Sequence, residues 1–232
     1  MKRTHDQFYL NENNKNIKQS FIEVANEIDC THFTTIADVG CANGAFPNYL
    51  SCRFPNAKVT GIDFVDELLA KAKNDFPHIP FNKGNVLDKS SINEKFDIIT
   101  MLGVLCIFDN YKFVLENVLS WLKPRGTLIL HNMINDYDWD VFVKYQPSSL
   151  NYTEENLESG WNILSEKSLK KVVTANNASI VKIKPFNLNI DLEHQDDSLR
   201  SWTEINPHEK REIYNGLNIR QPQKIVVIEK LQ

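Results

Sequence analysis

The sequence predicts an α/β fold in which a mostly parallel sheet carries helices on both faces. Short β-branched runs alternate with amphipathic segments along most of the chain, as strands and crossover helices do in parallel sheets. With 42% hydrophobic and 24% charged residues, the composition is that of a globular protein. The 232 residues fit one domain with insertions, because domains run to about 150 residues.

Up to residue 122, the sequence supplies four predicted strands and four predicted helices. Apolar residues from Phe21 to Ile28 recur at helical spacing, so we expect an N-terminal helix that packs on the sheet edge. The next elements in order are a strand at 35–39, a helix at 46–53, a strand at 58–62, a helix at 65–76, a weak strand at 80–82, a buried strand at 96–101 and a helix at 111–122.

The second half is less regular. A fifth strand is predicted at 127–131, a helix at 165–175, a sixth strand at 180–184 and a last strand at 225–228. Between them, residues 132–160 and 186–222 lose the periodic pattern. We expect these two segments to be insertions that cover one end of the sheet.

A glycine-containing turn follows the first strand, where Gly40 and Gly44 precede a predicted helix. Glycine lets the backbone approach a ligand closely, and a helix N-terminus offers unpaired N–H groups. A dinucleotide motif would need G-x-G-x-x-G, whereas three residues separate these glycines and no third follows. Asp38 would also repel a pyrophosphate. The acid instead favours S-adenosylmethionine, which carries a sulfonium and an ammonium group, although Asp38 could also cap turn amides.

Polar residues also follow the second and third strands. Asp63 lies 19 residues after Gly44, about where an acid binds ribose hydroxyls in βαβ nucleotide sites. Phe64 could cover one face of adenine, and Asn85 with the backbone N–H of Val86 could bind the adenine edge. Alternatively, Asp63 is the N-cap of the next helix and Asn85 is an ordinary turn residue.

These motifs together resemble the class I S-adenosylmethionine-dependent methyltransferases. The segment 38–44 matches their acid-x-Gly-x-Gly-x-Gly motif, Asp63 matches their post-motif acid, 96–103 their fourth-strand motif, and 122–126 their turn into the fifth strand. Ala42 replaces the middle glycine, and Asn85 stands where many members carry Asp. The resemblance implies a Rossmann-like seven-stranded sheet with an antiparallel last strand. It also implies S-adenosyl-L-methionine as cofactor, with S-adenosyl-L-homocysteine as product. The cofactor-binding residues that it implies are Asp38, Gly40, Cys41, Ala42, Gly44, Asp63, Phe64, Asn85, Val86, Leu102 and Gly103.

The resemblance makes residues 1–232 a single methyltransferase domain, with its cofactor half at about 30–131. The two irregular segments would then cover the methyl acceptor, since ligands bind outside the carboxyl ends of the strands in such sheets. The side chains that we expect in the acceptor pocket are Tyr137, Trp139, His194, Arg200 and Trp202.

Two residues are candidates for a catalytic base. His131 ends the predicted fifth strand, but a histidine there more often bonds a backbone carbonyl beside the sheet. Asp109 follows the fourth strand and could instead cap the helix near Tyr111. The acidic run from Asp136 to Asp140 offers metal-compatible oxygens without a partner pair at the fourth strand, so we expect no metal.

The expected acceptor is a small polar metabolite, methylated on oxygen or nitrogen. The tail segments at 200–203 and 214–216 loosely resemble methyltransferases associated with bacterial surface polysaccharides, which suggests a sugar or phosphorylated precursor. The alternatives are a tRNA or protein methyltransferase and a non-catalytic module that binds S-adenosylmethionine. A net charge of −4 argues against a nucleic-acid partner.

The expected compartment is the cytoplasm. The first twenty residues are polar, so we expect no secretion signal, and no apolar run is long enough for a membrane span. The four cysteines form no C-x-x-C pair, which fits free thiols in a reducing compartment.

Overall fold

The computed structural model of the chain describes residues 6–11, 17–30, 34–197 and 199–232. The helices are α1 (Asp6–Asn11), α2 (Gln19–Ala25), α3 (Ala45–Arg53), α4 (Asp66–Asp75), α5 (Tyr111–Ser120) and α6 (Glu166–Ala175). The strands are β1 (Thr35–Val39), β2 (Lys58–Asp63), β3 (Phe81–Lys83), β4 (Phe96–Leu102), β5 (Leu122–Asn135), β6 (Lys144–Tyr145), β7 (Glu158–Ser159), β8 (Leu164–Ser165), β9 (Ala178–Pro185), β10 (Ser201–Ile205), β11 (Arg211–Asn215) and β12 (Gln223–Lys230).

Seven strands form one sheet in the order β3-β2-β1-β4-β5-β12-β9, and the short β8 joins it beside β5. Strands β1 to β5 pair in parallel, whereas β12 runs antiparallel to both β5 and β9. This confirms the predicted mostly parallel sheet with an antiparallel last strand. The parallel pairing brings the carboxyl ends of β1, β2 and β4 to one edge of the sheet, where Asp38 of β1 pairs with Gly61 and with Thr100.

Helices cover both faces of the sheet, as predicted. Ile36 and Ala37 are neighbours in β1 but belong to different buried clusters, because successive side chains of a strand point to opposite faces. Apolar residues of α2 and α3 share the cluster of Ile36, and those of α5 and α6 share the cluster of Ala37.

The N-terminal helix α2 lies on a face of the sheet, and the prediction that it packs on the edge was wrong. Phe21 and Val24 are buried in the same cluster as Ile36 of β1 and Ile129 of β5, which are interior strands. Because β1 and β5 have neighbouring strands on both sides, a helix packed over them buries its apolar side more fully than a helix at the sheet edge. This position brings α2 close to the carboxyl ends of β1 and β4.

Strand β5 is longer than predicted. It extends to Asn135, so that His131 lies inside the strand rather than at its end. The reason is the partner strand, because β12 pairs with β5 from Thr127 to Met133 and supplies hydrogen bonds beyond the predicted boundary.

The segment 186–222, predicted to be irregular, contains the antiparallel hairpin of β10 and β11. Its strands pair Trp202 with Tyr214, and the two rings stack with centroids 5.2 Å apart. The hairpin forms through pairing between two short segments, and neither segment by itself has a sequence pattern that predicts a strand. Across the part of the chain that the structure describes, no helix has the length and apolar character that crossing a membrane requires.

Candidate functional site

A cavity of about 810 Å³ opens at the carboxyl ends of β1, β2 and β4. The turn after β1 and the ends of β2, β3 and β4 form one side of it. Residues from α1, α2 and the segment around β6 and β7 form the other. The predicted cofactor-binding residues that line it are Asp38, Gly40, Cys41, Ala42, Asp63, Phe64, Asn85, Val86, Leu102 and Gly103.

The turn after β1 depends on a close backbone approach at Gly40. Its φ is +78°, and a Cβ there would lie 2.2 Å from Cγ2 of Val104, so no other residue fits without displacing that side chain. The N–H groups of Gly40 and Cys41 both donate to the carbonyl of Ile62. The turn is therefore fixed to β2 and exposes its backbone to the cavity.

The two remaining positions of the glycine motif have different roles. Gly44, with a φ of +82°, occupies the N-cap position of α3. A Cβ on it would meet Phe81 and Ala72, so Gly44 is needed for packing rather than as part of the cavity lining. Ala42 keeps a left-handed φ of 48°, and its N–H donates to Oδ2 of Asp63 over 2.8 Å, which stabilises the conformation that a glycine would adopt more easily.

Asp38 is a buried carboxylate at the end of β1, with 3% of its surface exposed. Its Oδ1 accepts a hydrogen bond from the Thr100 hydroxyl over 2.8 Å. Burial raises the pKa of Asp38 to about 7; the Thr100 hydrogen bond opposes the rise and the charge of Asp63 adds to it. A ligand cation at this position would favour the ionised form.

Asp63, at the end of β2, connects the turn after β1 to the start of α4. Besides the hydrogen bond from Ala42, its Oδ1 accepts one from the Val65 N–H over 2.9 Å. Burial raises the pKa of Asp63, although these backbone donors oppose the rise. Val65, and not Asp63, occupies the N-cap position of α4, so the alternative helix-cap role does not describe it.

The ends of β3 and β4 complete this side of the cavity. Asn85 does form a turn, because its side-chain oxygen accepts a hydrogen bond from the Leu87 N–H over 2.9 Å, and it lines the cavity as well. Phe64 is 46% exposed and presents a ring at the same end. At β4, the N–H of Gly103 donates to the carbonyl of His131 over 2.8 Å, which joins the ends of β4 and β5.

His131 lines the cavity from β5. Burial lowers the pKa of His131 to about 4, only partly opposed by a hydrogen bond with the Gln223 side chain, so the imidazole is neutral at pH 7. Within the described part of the chain, the Nε2 atom is buried and has no hydrogen-bond partner.

Asp109 also lines the cavity and does not cap α5, whose N-cap position belongs to Asn110. It pairs with Lys144 and accepts hydrogen bonds from the Ser159 hydroxyl (2.6 Å) and the Asn162 amide (3.1 Å). Burial raises the pKa of Asp109, but these donors outweigh burial and leave the pKa below its ordinary value. Asp109 thereby fastens the segment around β6 and β7 to the end of β4.

The five side chains predicted for the acceptor pocket lie elsewhere, and none is among the described residues that line the cavity. Tyr137 and Trp139 are about three-quarters exposed (74% and 75%) on the surface. The ring of His194 stacks on Trp202 with centroids 4.1 Å apart. The guanidinium of Arg200 lies 3.5 Å from the ring centroid of Phe8, which connects the β10–β11 hairpin to α1.

Sequence reasoning missed the residues that line the other side of the cavity. They come from the N-terminal segment and from the segment around β6 and β7: Asp6, Tyr9, Lys18, Ser20, Phe21, Lys144, Leu157, Glu158 and Ser159. Helix α1 is held over the turn, since the Asn43 amide donates to the carbonyl of Tyr9 over 3.0 Å. The available signal was a pair of aromatic residues, at positions 8 and 9, in an otherwise polar segment.

The acidic run at 136–140 is divided among separate partners. Asp136 pairs with Lys224, Asp138 pairs with Lys167, and Asp140 accepts hydrogen bonds from α6 and its N-cap. Within residues 6–11, 17–30, 34–197 and 199–232, no group of three or more His, Cys, Asp or Glu side chains could hold a metal ion.

Comparisons with known proteins agree with this geometry. The sequence model of a family described as "Methyltransferase domain" matches residues 37–128. A malonyl-[acyl-carrier protein] O-methyltransferase of Ilyobacter polytropus is 24% identical over 178 residues, which cover 74% of this chain and 63% of that protein. The chain spans half to 63% of the length of the first curated relatives that it matches.

Solved structures share the fold. The methyltransferase in a complex with the Trm112 methyltransferase activator of Haloferax volcanii superposes with a TM-score of 0.66 at 14% identity, over 99% of this chain and 98% of that one. An O-methyltransferase from a polyketide synthase of Brevibacillus brevis, in complex with S-adenosyl-L-homocysteine, superposes with a TM-score of 0.57 at 12% identity, over 71% of this chain and 54% of that one.

The raised pKa of Asp38 predicts a pH-dependent gain in stability for Asp38→Asn. Between about pH 4, the ordinary pKa of Asp, and pH 7, the folded state binds the proton that the unfolded state has released, so stability falls as pH rises. The Asp38→Asn side chain does not ionise, so the variant does not lose stability in this way as pH rises. Its thermal unfolding temperature relative to the parent should therefore be higher at pH 8 than at pH 5, as scanning calorimetry would measure. A difference that is the same at both pH values would contradict the buried-charge interpretation.

Proposed function

We propose that this chain is a class I S-adenosylmethionine-dependent methyltransferase and that it transfers the methyl group of S-adenosylmethionine to a small polar metabolite; the match of residues 37–128 to a methyltransferase-domain family supports the proposal. One observation carries the proposal. Two carboxylates, the buried Asp38 and the partly buried Asp63, lie at the ends of neighbouring parallel strands and line one cavity together with the close-approach turn at Gly40.

The residues of the cavity fit this donor. Burial raises the pKa of both Asp38 and Asp63, so the cavity favours a ligand with positive charge. We assign Asp38 to the ammonium and sulfonium end, and Asp63 to the ribose hydroxyls. Phe64 would contact the face of adenine and Val86 its edge. The bound donor would supply an activated methyl group, which leaves positioning of the acceptor as the main task of the protein.

The opposite side of the cavity fits a small acceptor. It combines apolar rings, such as Phe21 and Phe108, with the polar group of Asp109, Lys144 and Ser159. A volume of about 810 Å³ lies within the usual range of small-molecule sites. We propose a sugar or a phosphorylated precursor, whose hydroxyl or phosphate groups Lys144 and Ser159 would bind.

His131 is our candidate for the base. Its neutral imidazole can accept a proton, and a weak base is sufficient for a hydroxyl acceptor because that proton becomes acidic as the oxygen is methylated. With a bound donor supplying the methyl group, His131 would take the hydroxyl proton of the acceptor. The imidazolium then releases this proton to water.

Binding of the donor depends on Asp63. We expect Asp63→Asn to weaken S-adenosyl-L-homocysteine binding about 10- to 100-fold in isothermal titration calorimetry, because hydrogen bonds to charged groups contribute about 1.5–3 kcal/mol. The matched control is Asp75→Asn in α4, whose carboxylate pairs with Lys71 away from the cavity. Unchanged affinity in Asp63→Asn, or no binding by the parent, would refute the assigned cofactor site.

A screen for S-adenosyl-L-homocysteine release with sugars, sugar phosphates, amines and carboxylic acids would identify the acceptor class. For a hydroxyl acceptor we expect His131→Gln to lower kcat by about 10²–10⁴-fold with unchanged affinity for S-adenosyl-L-homocysteine. If none of the acceptors in a broad panel leads to release of S-adenosyl-L-homocysteine, the result would support the alternative, a non-catalytic module that binds the cofactor.

A carboxylic acid is a second candidate acceptor, since the Ilyobacter relative is a malonyl-[acyl-carrier protein] O-methyltransferase and Lys144 lines the cavity. A carboxylate is already ionised and needs no base. The His131→Gln variant therefore separates the two candidates, because turnover of an acid would change little while turnover of an alcohol would fall.

A tRNA or protein methyltransferase is the remaining alternative. A protein that binds a polyanion needs a basic surface, and this chain has a net charge of −4. We expect the protein to pass through a heparin column at low salt with little retention. Strong retention that is lost on adding salt would favour a macromolecular acceptor.

A further inference from the structure

A second cavity lies at the opposite end of the sheet from the candidate functional site. Strand β12 runs antiparallel to β5, so Lys230 at the end of β12 lies beside the amino ends of the parallel strands. Lys89, Lys230 and residues of α5 line a cavity of about 420 Å³ at this point. None of its described lining residues lines the cavity at the carboxyl ends of the strands. The two cavities are therefore separate.

Three lysine side chains converge on this second cavity, and we call Lys89, Lys95 and Lys230 the lysine cluster. Lys89 and Lys230 line the cavity. Nζ of Lys95 donates over 2.6 Å to the carbonyl of Ser120, which also lines it, and Nζ of Lys230 donates over 2.9 Å to the carbonyl of Leu122. Burial and, next, the positive charges of Lys95 and Lys89 lower the pKa of Lys230. The three ammonium groups are thus near enough to repel one another.

Acidic side chains do not neutralise the lysine cluster. Among the residues that the structure describes, no carboxylate forms an ion pair with its ammonium groups, whereas Lys123 at the start of β5 pairs with Asp97 over 2.8 Å. The backbone carbonyls that hold Lys95 and Lys230 carry no net charge, and an ammonium has three N–H donors. Glu116 of α5 also lines the cavity, but it supplies one negative charge against three positive ones.

We propose that this cavity binds a phosphate group, which the ammonium groups of Lys89 and Lys230 hold and the charge of Lys95 further attracts. Phosphate oxygens accept charge-assisted hydrogen bonds from lysine, and a doubly charged anion offsets the mutual repulsion of grouped ammonium ions. Lysine suits such a ligand because its ammonium is a point charge with rotatable donors. This site does not depend on the proposed methyl transfer.

A small phosphate fits this cavity better than a polyanion does. One cavity with three lysines, in a chain of net charge −4, is not the extended basic surface that nucleic acids require. The ring of Phe113 is 41% exposed and lines the same cavity, so an organic group attached to the phosphate can pack on it. The ligand is therefore free phosphate or a phosphate monoester, and both present the same headgroup to the lysine cluster.

Amide NMR of the full ¹⁵N-labelled chain, titrated with inorganic phosphate, tests the proposal. We expect saturable shifts of the amides around Lys89, Ser120 and Lys230 that sodium chloride at the same ionic strength does not produce. A second titration with phenyl phosphate separates the two ligand sources. Tighter binding than that of phosphate, with shifts at Phe113, would assign the cavity to a phosphate monoester, whereas equal affinity would assign it to the free anion.

Charge variants should change the phosphate affinity in opposite directions. Lys89→Gln and Lys230→Gln should each weaken phosphate binding about 3- to 10-fold, because each removes a charge-assisted contact at a partly exposed site. Glu116→Gln removes the opposing charge and should strengthen binding about twofold. The control Lys167→Gln, whose ammonium pairs with Asp138 on the surface, should bind phosphate as the parent does. Lys89 and Glu116 are exposed, so their variants decide the test even if Lys230→Gln fails to fold.

Three results would overturn the proposal. The first is an absence of phosphate-specific shifts at this cavity, and the second is unchanged phosphate affinity in both Lys89→Gln and Glu116→Gln. The third is phosphate shifts confined to the amides around Lys144 and Ser159, because those residues line the other cavity. Binding of S-adenosyl-L-homocysteine, measured by calorimetry on the same samples, reports separately on the proposed function.

Discussion

The site depends on two carboxylates, one buried and one partly buried, at the ends of adjacent strands of the parallel sheet. The charge of Asp63 adds to the electrostatic cost of ionising the buried Asp38. Like charges in a protein interior are retained where a ligand or a set of hydrogen bonds compensates them. Here the backbone compensates Asp63, through the N–H groups of Ala42 and Val65, while Asp38 has the Thr100 hydroxyl. The remaining negative potential suits a cationic donor.

The hydrogen bonding of Asp63 also explains how the turn after β1 tolerates Ala42 in place of the middle glycine. A left-handed alanine is disfavoured by about 1–2 kcal/mol, yet Ala42 keeps this conformation. The hydrogen bond from its N–H to Asp63 stabilises the turn, and the approach of Gly40 to Val104 leaves no space for a side chain. The turn geometry and the proposed recognition of the donor thus involve one carboxylate, that of Asp63.

The acceptor side of the cavity is assembled differently, from segments that are far apart in sequence. Asp109 fastens the segment around β6 and β7 to the end of β4, and Asn43 fastens α1 over the turn. His131 reaches the cavity from β5, beside the paired strand β12 and against the ring of Phe186. The side of the cavity that we propose for the donor is therefore built on adjacent parallel strands, and the side that we propose for the acceptor on long-range contacts between less regular elements.

The sequence by itself determined the sheet, the turn at Gly40 and the two acids, because each is encoded in a short segment with a strong local pattern. A buried strand, a glycine bend and a helix follow one another within residues 35–53, and Asp63 ends the next strand. The full length of β5 and the β10–β11 hairpin were decided by strand partners that no local pattern contains.

The residues that line the proposed acceptor pocket were likewise visible only in the tertiary structure. Tyr137 and Trp139 were chosen because they are aromatic and lie in an irregular segment, but the structure exposes them on the surface. Lys144 and Ser159 line the cavity because Asp109 holds their segment there. Burial and ion pairing arise from contacts between distant segments, and for this reason the buried environment of His131 could not be derived from the residues around it in the chain.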